Sequence, residues 1–182
     1  MKKLLIVMAI AAITLAACNS NKEEAKPVAS TETTSMADVT YPYPISYSSK
    51  FELADPKYGQ IILGLWKDWD NGTLSNSKDA FADSVEMHFA DGSMMHSVRD
   101  SVLAAGQMYR DMYTKAVSEV NAVTALRSMD KDENWALVWG KEVDTDKKGK
   151  VDSFYLQETW RFNKAGKVDL LYQYKAAGTP PK

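Results

Sequence analysis

The chain has 182 residues, with 22 Lys and Arg against 24 Asp and Glu and a net charge of −2 at neutral pH. That balance excludes a generic binder of the nucleic-acid backbone, which needs clustered cations to release counterions. A single cysteine excludes an intrachain disulfide and a cysteine-built metal site.

The chain opens Met1-Lys2-Lys3 and then runs apolar from Leu4 to Ala17. Two lysines ahead of about 14 apolar residues have the pattern of a secretory signal peptide, and the run is too short to span a membrane as a helix. Leu15-Ala16-Ala17-Cys18 resembles the lipobox of bacterial lipoproteins, in which the chain is cut ahead of the cysteine and the cysteine is lipidated. The resemblance implies loss of residues 1–17 and an acylated Cys18. It also implies a membrane partner, on the periplasmic or surface face of the bacterial outer membrane. Residues 18–40 are mostly Ser, Thr, Glu, Lys, Ala and Pro. They bury too little apolar surface to offset ordering entropy and read as a flexible tether. Residues 41–54 open Tyr41-Pro42-Tyr43-Pro44-Ile45-Ser46-Tyr47, an extended arm whose aromatics lie against the domain or bind a partner.

The folded domain is expected over 55–177. Asp55-Pro56 starts a helix as N-cap and first helical residue. Tyr58, Ile61, Ile62, Leu65, Trp66 and Trp69 form its apolar stripe, and Asn71-Gly72 ends it. Val85–Phe89 reads as a short strand closed by the turn Ala90-Asp91-Gly92-Ser93. Ser97 is the expected cap of a second helix with Asp100 in its first turn, and its stripe runs Val98, Val102, Ala105, Tyr109, Met112, Ala116. Gly106 within it signals a close approach. Glu119–Met129, Trp135–Val143, Phe154–Asn163 and Val168–Lys175 read as long strands. The turns between them are Asp130–Asn134, Asp144–Lys150 and Lys164–Lys167. Hairpin-length connections predict an antiparallel meander in an α+β domain, with helices laid on one face of a curved sheet.

This order of elements, with Phe81-Ala82-Asp83 and the closing Arg161-Phe162-Asn163-x-Ala165-Gly166-Lys167-Val168, resembles the nuclear transport factor 2-like superfamily. Within it the likeness is to the ketosteroid isomerase and SnoaL-like branch. The resemblance implies a cone, with the sheet wrapped around the N-terminal helices and a pocket at the open end. It further implies a homodimer through the outer sheet face. In ketosteroid isomerase the pocket holds a Tyr, an Asp base and a protonated Asp. The matching positions here are Leu65, Phe89 (Asp91 if the strand slips) and Glu158. Two of the three are hydrocarbon, so steroid isomerisation by that mechanism is not expected.

Glu158 is the central candidate. In Phe154–Phe162 every second residue is apolar except Glu158, so strand parity turns the carboxyl inward. Among Leu156, Trp160 and Phe162 it would have a raised pKa suited to a general acid or hydrogen-bond donor. Alternatively it pairs with Arg99, Arg110 or Arg127. His96 and Asp91 are the candidate catalytic partners, while His88 should face outward with Glu86. Leu65, Trp66, Phe89, Met112, Leu156, Trp160 and Tyr172 line a pocket for a small apolar or aromatic ligand, or fill the core. The two histidines lack a third ligand, so no metal is expected. No cofactor is expected either, as no phosphate loop or nucleophile elbow appears. Three functions stay open: a tethered binding protein, an isomerase, cyclase or dehydratase using Glu158, and a non-catalytic dimeric interaction module.

Overall fold

A computed structural model describes residues 40–178. Cys18, the signal peptide and nearly all of the tether lie outside the described residues. Pro42–Lys182 forms a compact unit, and the elements below belong to it.

The first long element is helix α1, Lys57–Asn71. Its start follows the expected chemistry one residue late. The Asp55 carboxylate accepts the Lys57 N–H at 2.9 Å, and Pro56 takes the capping position itself. Ile62, Leu65 and Trp66 are buried along its inner face. Gly72 ends the helix in the left-handed region (φ 70°), which costs glycine little. An unforeseen 3₁₀ helix, Leu74–Ala80, follows. The Asp68 carboxylate holds it by accepting from Thr73, Asn76 and Ser77.

Seven strands form one sheet: β1 Phe51–Leu53, β2 Phe81–His88, β3 Met94–Val98, β4 Tyr113–Ser128, β5 Glu133–Asp146, β6 Val151–Phe162 and β7 Val168–Ala177. Their spatial order is β1-β4-β5-β6-β7-β2-β3. From β4 to β7 the sheet is the expected antiparallel meander. β2 breaks the pattern by lying parallel to β7. The expected arm contributes β1, which adds to the edge of β4. Tyr47 packs edge-on against Trp135, 6.0 Å between ring centres, and its hydroxyl donates to Glu133.

Helix α2, Arg99–Arg110, departs from expectation at both ends. Ser97 belongs to β3 and does not cap it. The helix also stops at Arg110, so Met112 and Ala116 are not on its stripe. β-branched Thr114 and Val117 favour the extended chain from Tyr113 onward, and Ala116 is buried from the strand. Gly106 does mark a close approach, since a Cβ there would stand 3.2 Å from Leu74 Cδ1. The core lies between α1, α2 and the concave face of the sheet, around Ile62, Trp66, Val85, Val138, Trp160 and Phe162.

Candidate functional site

α1 runs along the concave face with two indoles one turn apart, Trp66 and Trp69, each aimed at a carboxyl group. Trp66 Nε1 donates to Glu158 Oε2 at 2.6 Å, and Trp69 Nε1 donates to Glu142 Oε1 at 2.6 Å. Between the two acids sits Gly140. A Cβ there would lie 2.6 Å from the Trp66 ring and 2.6 Å from the Glu119 carbonyl oxygen. Only glycine lets the indole lie flat on the strand at this point.

Glu158 points inward, as strand parity requires, and is 5% exposed. None of the three arginines reaches it. Arg99 bonds the Phe81 carbonyl and pairs with Asp83, and Arg127 pairs with Glu52 and Asp132. Arg110 donates to the carbonyls of Trp69, Tyr113 and Asp70. Glu158 is held instead by Trp66, by Trp160 Nε1 at 3.0 Å and by Gln173 Nε2 at 2.9 Å. Burial holds its pKa above the ordinary carboxylate value, although the bonds from Gln173, Trp66 and Trp160 oppose that shift. Three donors fill the acceptor positions of this carboxyl group within a packed core.

The other candidates scatter. Leu65, Trp66, Leu156 and Trp160 are buried core around Glu158, and Phe89 packs against its edge. Met112 is 48% exposed and lies at the mouth of the cone. Tyr172 sits on the opposite face from Gln173, which bonds Glu158. It stacks on His88 with ring centres 4.7 Å apart, and His88 bonds Glu86 on the outer face as expected. His96 is exposed on β3 and bonds the Ser84 hydroxyl at 3.1 Å. Asp91 is exposed in the β2–β3 turn, where it accepts from the N–H and hydroxyl of Ser93. Neither His96 nor Asp91 touches Glu158. β3 pairs with β2 on the far side from the β4–β6 wall, and sequence spacing does not carry that distance.

A second acidic site, unremarked in the sequence, lies nearer the mouth. β5 buries Glu142 (6% exposed) within its expected span and, continuing past the expected end at Val143, buries Asp144 (2%) as well. Burial, then the neighbouring Asp144, pushes the Glu142 carboxyl up to about 9. Burial also raises Asp144, while the bond from Glu142, Arg110 and Lys175 oppose that shift. Two carboxyls this close share a proton, and the larger upward push on Glu142 places it there. Among the described residues Asp144 Oδ1 is buried without a hydrogen-bond donor. Asp152 stands directly across the strand pair from Asp144, a like-charge juxtaposition that sheets normally avoid. Tyr113 adjoins the pair, its phenol pushed up by burial and then by its bond to the Tyr109 hydroxyl.

Asp144, Asp152, Tyr113 and Met112 line a cavity of ≈ 400 Å³ rimmed by Lys147, Lys148 and Lys150. Glu158 does not line it, nor a second hollow of ≈ 240 Å³ around Lys131, Arg161 and Asp169. A signal for Glu142 and Asp144 was present: they continue the parity of Ala136, Val138 and Gly140. Strand β5 is apolar on both faces, with Trp135, Leu137 and Trp139 on the other parity, and this hid which side is inner. Among the described residues no group of three or more His, Cys, Asp or Glu is arranged to hold a metal ion.

Neither a sequence model of a known family nor a curated protein sequence matches the chain. Solved structures resemble it. AusH from Aspergillus nidulans has a TM-score of 0.54 at 10% identity, over 71% of this chain and 90% of that one. An LEH-like epoxide hydrolase from M. tuberculosis has a TM-score of 0.55 at 8% identity, over 66% and 83%. A nuclear transport factor 2-like protein of unknown function from Burkholderia pseudomallei has 0.52 at 16% identity, over 64% and 88%. At such identities the likeness is one of fold, and the fold hosts enzymes and proteins of unknown function alike. With its curved, unclosed seven-stranded sheet folded around two helices, this chain has the cone-shaped nuclear transport factor 2-like fold.

Proposed function

We propose that this is a small-molecule-binding protein tethered at the bacterial cell envelope, with its ligand entering at the mouth of the cone beside Asp144. One observation carries the reading. Glu158 has its hydrogen bonds filled by Trp66, Trp160 and Gln173, whereas Asp144 keeps a buried oxygen without a donor among the described residues, beside a cavity of ≈ 400 Å³. A few convergent polar groups against apolar side chains in a hollow of that size are what small-ligand sites are built from. Met112 and Tyr113 supply the apolar flank.

The test is methionine-methyl NMR with a mixed set of small amines, acids and aromatics. Binding at the mouth shifts the Met112 methyl and leaves the Trp66 indole N–H resonance in place. A moved Trp66 resonance with an unmoved Met112 would return the site to Glu158. Tethering rests on the Leu15–Cys18 motif. Metabolic labelling with an alkyne fatty acid should mark the protein and fail with Cys18→Ser.

A second reading is favoured by the proton-sharing pair. Glu142, its carboxyl pushed up to about 9, beside Asp144 forms an acid–base unit, and an isomerase, cyclase or dehydratase built here would pass a proton through the pair. The same reading centred on Glu158 would first have to break its three bonds. For self-association, the outer face carries Trp139, Tyr155 and Tyr174, all exposed. A homodimer through that face should dissociate in sedimentation runs of Tyr155→Lys.

A further inference from the structure

The mouth cavity is lined by charges of both signs, the acids Asp144, Asp146 and Asp152 and the lysines Lys147, Lys148 and Lys150. Its floor is Asp144, 2% exposed, with Oδ1 lacking a donor among the described residues. Asp152 faces it across the strand pair. Of the two cations that act on Asp144, Arg110 spends its donors on the carbonyls of Trp69, Asp70 and Tyr113. Lys175 sits over the Phe154 ring, 3.4 Å from its centre. Its rim is cationic. Lys147, Lys148 and Lys150 line the cavity from the exposed β5–β6 turn. Asp146, the acid closest to them in sequence, already accepts the backbone N–H groups of Lys148 and Lys150.

We propose that this cavity takes a zwitterion of amino-acid to dipeptide size, its ammonium at Asp144 and Asp152 and its carboxylate at the lysines of the β5–β6 turn. The inference rests on the reading that the mouth is the binding site, and it adds the chemical class. An ionised carboxylate accepts about four hydrogen bonds. Among the described residues Asp144 Oδ1 has no donor, so an ammonium with three donors fills what is missing. It also relieves the repulsion between Asp144 and Asp152. A simple anion would meet the buried Asp144, and a simple cation would have to pass three lysines. A dipolar ligand satisfies both ends, and Met112 with Tyr113 takes its side chain. A hollow of ≈ 400 Å³ suits a molecule of this size.

The probe is L-alanyl-L-leucine, titrated calorimetrically into the full chain in detergent, beside its N-acetyl and C-amide derivatives. Free dipeptide is expected to bind, with affinity lowered at least tenfold by N-acetylation and several-fold by C-amidation. Asp144→Asn should weaken binding at least tenfold. Because that residue is buried, exposed Asp152→Asn serves as the variant that cannot fail by misfolding, with a loss of at least threefold. Equal binding of free and acetylated peptide would overturn the proposal. So would a shift of the Met112 methyl by indole with none by the dipeptide, although that result would keep the mouth as the site. Silence of Met112 toward every probe would overturn both.

Discussion

Glu142→Gln should stabilise the domain at neutral pH, an unusual direction for a change at a buried polar position. In the folded chain the Glu142 carboxyl is pushed up to about 9 from an ordinary 4.5. The unfolded chain releases that proton above about 4.5, whereas the native one keeps it. Folding therefore takes up a proton, and stability is full below about pH 4.5 and is lost as pH rises toward 9. At about 1.4 kcal/mol per pH unit, the loss at pH 7 is on the order of 3 kcal/mol. Gln avoids it. Its carbonyl still accepts from Trp69 Nε1, and its amide still donates to Asp144 in place of the shared proton. Urea unfolding of residues 42–182, read by tryptophan fluorescence at about pH 4 and about pH 7, measures the difference. With a slope of about 1–3 kcal/mol/M, the variant's midpoint should rise by about 1–3 M over wild type at neutral pH. The two should coincide at acid pH. A gap independent of pH, or a variant weaker at neutral pH, would mean that Glu142 is ionised in the fold and that the pair does not share a proton.

Three further outcomes follow from the same packing. Gly140→Ala forces a Cβ to 2.6 Å from both the Trp66 ring and the Glu119 carbonyl. It should cost about 1–3 kcal/mol, read as a lowered Tm in calorimetry. Trp66→Phe removes a donor from buried Glu158. A double-mutant cycle with Glu158→Gln should give a coupling of about 1–3 kcal/mol, and a coupling near zero would show that this bond contributes little. Arg110→Met strips donors from three carbonyls at the end of α1 and the start of β4. It should cost about 2–4 kcal/mol and speed amide exchange around Gly72.

The inward face of β6 was legible because its apolar residues alternate cleanly, so one acid in the row stands out and parity fixes where it points. The partners of that acid were not legible. The arginines within reach in sequence are drawn off by backbone carbonyls and surface acids, while two indoles and an amide from three different elements close on Glu158. Tyr172 failed for a related reason. β7 is apolar on both faces near Leu170 and Leu171, both buried, so its periodicity does not tell inside from outside. Asp144 looked like the first residue of a turn, since Asp-Thr-Asp-Lys-Lys-Gly has turn composition. β5 carries Asp144 beyond that point beside Glu142, because proton sharing offsets part of their burial, and no local propensity encodes a tertiary proton.

The closed depth and the open mouth have one cause. Trp66 lies flat on Gly140, and this brings its indole N–H within 2.6 Å of Glu158. The ring then fills the level of Glu158, and Leu65 and Phe89 offer no polar partner there. One turn further along α1, Trp69 repeats the gesture toward Glu142, but the next inward residue, Asp144, has no third indole above it. Helix α1 ends at Asn71 and α2 ends at Arg110, so two strand residues beyond Glu142 the sheet outruns its helical filling. The acid left at that edge is the one with an unanswered oxygen. If Trp66 is the plug, Trp66→Ala should open a cavity at Glu158 and draw water to it without changing ligand affinity at Asp144. A change in binding at the mouth equal to that of Asp144→Asn would mean that the two levels form one continuous pocket.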